Sequence, residues 1–127
     1  IDPSAVRSLR DAMPAGAALL EAPSATYTFL SINMNAEPLR DPRVREAIQW
    51  AYDGEAVSLG AYDGAAGRAT GVIPPGSPFA RAANLRAPRD VERARALLSE
   101  AGAEGLTLNL VALTDSRSQI IAQIVQA

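Results

Sequence analysis

Cysteine, histidine and lysine are all missing from this 127-residue chain, and aromatic residues number only 6. Without Cys or His there is no disulfide, thiol nucleophile, Cys/His metal site or imidazole relay. Without Lys there is no Schiff-base nucleophile and no P-loop. These absences remove most familiar enzyme chemistries and leave no expected cofactor or metal. Charge of one sign is also scarce: 12 Arg face 14 acids, for a net −2. A nucleic-acid partner would call for a basic excess or stripe, so none is expected. No apolar run approaches the roughly 20 residues of a membrane span. The chain opens on Ile1 without an export signal, and the reading is a piece of something longer.

What is present is alanine, 26 residues, beside 27 Leu, Ile and Val. Ala favours helix but buries little, so the branched residues must build the core. The length suits one compact domain. Asp2-Pro3 opens a short helix ending near Met13-Pro14, and Asp41-Pro42 repeats the device before a helix over 41–53. In that second helix Val44, Ala47, Ile48, Ala51 and Tyr52 share one arc. Gly54 breaks or kinks it before EAVSLGAY (55–62) resumes. A long, mostly irregular segment punctuated by Gly and Pro (63–88) follows, and upstream the turn-prone Pro23-Ser24 separates residues 17–22 from 26–33. Asp90 caps a third helix that stops at Gly102. Residues 17–22, 26–33 and 106–113 read as strands, and 119–127 as the opening of another helix. Strand–loop–helix order of this kind predicts an α/β organisation.

Candidate chemistry is sparse. Asp41, Glu46, Asp53 and Asp63 are the acids in suggestive places, but a helix cap at Asp41, a solvated helix face at Glu46 and Asp-Gly turns at Asp53 and Asp63 account for them better than a catalytic pair. Arg40, Arg43 and Arg45 form one basic cluster, and basic groups at a helix start oppose its dipole, so ion pairs outrank phosphate binding there. Trp50 suits packing better than a ligand platform. The loop Thr114, Asp115, Ser116, Arg117 and Ser118 sits between a predicted strand and a helix. Ligands bind at such places in open α/β sheets, and Arg117 offers a planar fork for a carboxylate. Ser116 or Ser118 acting only as a helix cap is the competing reading.

The stretch from Asn33 to Asp53 resembles the family 5 solute-binding proteins, receptors of ABC importers. Asn33, Pro38, Asp41, Arg43, Val44, Arg45, Ala47, Ala51 and Asp53 match that pattern in register. VIPPGSPFA (72–80), RDVERARALLSEAG (89–102), LTLNLVAL (106–113) and IIAQIVQA (120–127) are similar to its later motifs. Leu39 and Gly54 depart from it, standing where an aromatic and a basic residue are usual.

The resemblance implies a non-catalytic receptor outside the cytoplasm that captures a peptide or other small solute between two lobes. Residues 1–127 would be a single partial domain within the C-terminal lobe, with the export signal elsewhere and a membrane permease as partner. The implied fold is part of a periplasmic-binding-protein-like, hinge-closing lobe (type II), its helices packed on a small mixed sheet. The ligand-binding residues carried over are Asn33, Thr114, Asp115, Ser116, Arg117 and Ser118. Unpaired strand edges would favour a homodimer. A small stand-alone α/β protein–protein interaction domain remains the alternative.

Overall fold

The computed structural model describes residues 3–22, 26–67, 69, 71–73, 77–79 and 89–127. The expected cap at Asp2, the turn at Pro23-Ser24, and parts of the 63–88 segment lie outside them. Five helices follow in order: α1 (Pro3–Asp11), α2 (Pro42–Ala51), α3 (Gly54–Tyr62), α4 (Val91–Glu100) and α5 (Ser116–Gln126).

The local signals for these helices are chemical. The Asp41 carboxylate accepts from the Arg43 N–H, with Pro42 filling the first helical position, where no N–H is needed. Asp53 and Asp90 cap α3 and α4 in the same way, through the N–H groups of Ala56 and Arg93. Asp53 therefore starts a new helix, and Gly54 is its first residue. At the far end of α4, Gly102 takes a φ of 64°, which the absence of a Cβ permits. Its N–H then reaches the Ser99 carbonyl at 3.0 Å while Ala103 reaches Leu98 at 2.9 Å, closing the helix end.

Helices α2 and α4 pack together antiparallel, because each end of the pair is tied. The Arg43 guanidinium at the start of α2 donates to the Glu100 carbonyl at the end of α4. At the other end the Asp90 N–H donates to the Trp50 carbonyl at 2.9 Å. Between these ties lie buried Ala47, Ala94 and Leu97, with Trp50 and Leu98 packed against them. Small side chains on both helices let the axes approach, and Leu97 fills the seam. The second helix pair is α3 with α5. Gly60 makes it possible: a Cβ there would stand 2.7 Å from Ile124 Cδ1.

The expected strands do not form. Among the described residues there are five helices and no sheet, so helices packed on a mixed sheet, and the α/β class with it, are corrected. Residues 17–22, 26–33 and 106–113 run without regular secondary structure. A strand exists only when its N–H and C=O groups pair with a neighbour, which alternation within one segment cannot supply. Phe29 remains 71% exposed and Val111 92%.

Candidate functional site

The 114–118 loop becomes the start of α5. Asp115 is the residue just before the helix, with extended backbone, and its Oδ1 accepts from the Ser118 N–H at 3.0 Å. The cap is thus Asp115, not Ser116 or Ser118. A capping side chain must stand just before the first helical residue and reach the N–H two or three positions on, and only Asp115 meets both conditions. Hydrogen bonding from Ser118 holds the Asp115 carboxyl below the usual carboxylate range. Thr114 is exposed at the end of the preceding segment. The Gln119 side chain donates to the Leu113 carbonyl at 2.6 Å, pinning that segment to the helix.

Arg117 lies in the first turn of α5 and is only partly exposed. Its guanidinium carbon sits over the Tyr62 ring, 5.1 Å from the centroid. Tyr62 is the last residue of α3, and its hydroxyl is hydrogen-bonded to the Thr28 hydroxyl. Asp63 follows in the left-handed region (φ 56°) and pairs with Arg7 of α1. The C-terminal end of α3 therefore gathers α1, the 26–33 segment and the 114–118 loop at one place. Arg117, with its cation over the Tyr62 ring, and Asp115, two residues earlier at the helix cap, bring opposite charges to the same turn.

Asn33 lies in a turn ahead of α2. Its Oδ1 accepts from the Asn35 N–H at 3.1 Å and its carbonyl from the Ala36 N–H at 3.2 Å, shaping the turn that leads toward α2. The basic cluster is structural as well. Arg45 donates to the carbonyls of Leu39 (2.8 Å) and Arg40 (2.7 Å), while Arg40 reaches Asn35 at 3.1 Å. Trp50 packs on the α2–α4 core and donates to Glu46 at 3.2 Å. The suggestive acids are likewise engaged: Asp53 pairs with Arg89 at 3.2 Å, and Arg89 also donates to the Ala51 carbonyl at 3.0 Å. Sequence reading did not single out Tyr62 or Thr28. They lie 34 residues apart, and no local pattern signals their contact.

The caps give a pH signature. Asp41 is also held below the ordinary 3.8, chiefly by hydrogen bonding from the Arg43 side chain. Carboxyls lowered on folding stabilise the folded state above the unfolded value, and that contribution is lost as pH falls through the lowered one. Acid titration followed by circular dichroism should therefore show helix loss below about pH 4. Asp115→Asn, which can still cap, should flatten part of that slope; an unchanged slope would remove Asp115 from the account.

Comparison with known proteins gives the context. The family model described as Bacterial extracellular solute-binding proteins, family 5 Middle, matches residues 1–127. The chain belongs to this family. It is also similar to the glutathione-binding protein GsiB of Shigella flexneri serotype 5b, 39% identical over 85 residues, or 66% of this chain. The GsiB proteins of Salmonella typhimurium and Escherichia coli K12 are each 38% identical over 84 residues, again 66% of this chain. In every case the match covers 16% of the relative's own length. No solved structure gives a significant match. Nothing in these findings supports the expected homodimer, and the described residues contain no sheet edge to carry one. No helix among them is long and apolar enough to cross a membrane.

Proposed function

We propose that this chain is part of the substrate-binding component of an ABC importer, working outside the cytoplasm without catalysis. In this reading residues 1–127 belong to the C-terminal lobe, the solute is captured between two lobes, and a membrane permease receives it. The family match over residues 1–127 is the observation that carries the proposal. The 114–118 loop is the part of the cleft this chain supplies: Arg117 meets a ligand carboxylate, and Asp115 meets an ammonium or N–H donor. Thr114, Ser116 and Ser118 line the same turn, while Asn33 shapes the loop ahead of α2. Such a pair suits a small peptide carrying both charges. The relatives named for glutathione, an acidic tripeptide, favour that solute class.

The stand-alone interaction domain is not favoured. Only Val44, Ala47, Val57, Ala94 and Leu97 form buried core among the described residues, too few for a self-sufficient module.

The test is a thermal-shift and calorimetric titration of the intact, ligand-stripped protein against glutathione, dipeptides, tripeptides and sugars. A peptide present at a hundred times its Kd should stabilise the folded state by about 2.7 kcal/mol. A response to sugars with none to peptides would overturn the substrate class.

A further inference from the structure

Whatever Arg117 binds, something must hold its long side chain in one place, because a free guanidinium loses rotamer entropy each time it engages a ligand. Tyr62 is in contact with it, its ring lying under the guanidinium carbon at 5.1 Å. Tyr62 is itself fixed at both ends. Its backbone closes α3, and its hydroxyl is bonded to Thr28 of the 26–33 segment. The helix carrying Arg117 is set against α3 through Gly60, where a side chain would meet Ile124. Gly60 and Tyr62 stand on one helix, and Arg117, Ile120 and Ile124 on the other, so the close approach and the ring contact belong to the same packing. The attraction of a cation to a ring face consumes none of the guanidinium's N–H donors, so the ring contact and a carboxylate bound through the N–H edge are compatible.

We infer that Tyr62 is a positioning residue for solute recognition: its ring orients the Arg117 guanidinium toward the ligand carboxylate, with Thr28 bracing the ring. This rests on the proposed role of Arg117 in the cleft. It assigns specificity for a free carboxylate to a residue that need not touch the solute.

The experiment is calorimetric titration of the intact protein with glutathione and its glycyl-carboxamide, and with a dipeptide and its amide as a second probe pair. Tyr62→Leu should weaken binding of the carboxylate probes by roughly three- to tenfold and leave the amides nearly unchanged. Tyr62→Phe, which keeps the ring, should retain most of the discrimination between carboxylate and amide. A merely structural role would weaken both probes of a pair alike, and that result overturns the inference. Should Tyr62→Leu fail to fold, Thr28→Val still tests it: a small loss confined to the carboxylate probe supports the bracing, and an equal loss on both overturns it. If Arg117→Ala weakens carboxylate binding while Tyr62→Leu does not, the positioning role fails and the cleft assignment stands. If Arg117→Ala has no effect, or the unaltered protein binds no peptide, the cleft assignment fails and takes the Tyr62 role with it.

Discussion

Leu97→Ala is expected to lower the unfolding free energy of the intact protein by about 3 kcal/mol, within the range for buried Leu→Ala changes. Leu97 is 3% exposed and fills the seam between α2 and α4, where its buried neighbours are Ala47 and Ala94. Two alanines cannot move in to fill the space, because each is anchored to its own helix and has no further side-chain atoms to extend. The helix ends are also tied, by Arg43 to the Glu100 carbonyl and by Asp90 to the Trp50 carbonyl, so the pair cannot collapse freely onto the cavity. Urea unfolding should show a lower midpoint with an unchanged slope. A loss below about 1 kcal/mol would mean that the seam repacks and that Leu97 does not set the helix separation.

The second large effect concerns binding. Arg117→Ala should weaken a peptide carboxylate by roughly ten- to a hundredfold, as expected for loss of a hydrogen-bonded charge. Arg117→Lys should recover only part of this, since an ammonium cannot make the paired, planar contact. Folding should change little, because a cation on a ring face at a partly exposed site contributes only about 0.5–1 kcal/mol. Calorimetry with glutathione reads the affinity, and thermal unfolding without ligand reads the stability. Equal affinities for the wild type and Arg117→Ala would place the solute elsewhere in the cleft.

The starts of α2 and α4 and the stop of α4 were legible from residue order because their causes are local. A carboxylate just before a helix, a proline in its first turn and a glycine just past its end each act within four or five residues. Asp41-Pro42, Asp90 and Gly102 all behave as their positions indicate. The 114–118 loop was legible as a loop entering a helix, but not which residue caps it, because Asp115, Ser116 and Ser118 can all accept a backbone N–H. Geometry assigns that role to Asp115. The strands were misread for the opposite reason. Alternation such as Thr26, Tyr27, Thr28, Phe29 records suitability for a sheet, whereas a strand is made by a partner at long range. None is present among the described residues.

By itself, then, the sequence determined where α2 and α4 start, where α4 stops, and the family signature running through Asn33 to Asp53. Those properties depend on neighbours in the chain. Only the tertiary structure decided that α2 lies antiparallel on α4, that Gly60 admits α5, and that Arg117 rests on a tyrosine braced by a threonine 34 residues before it. Each of these is a contact between distant segments. Loop closure and packing choose such contacts, and no short run of residues encodes them.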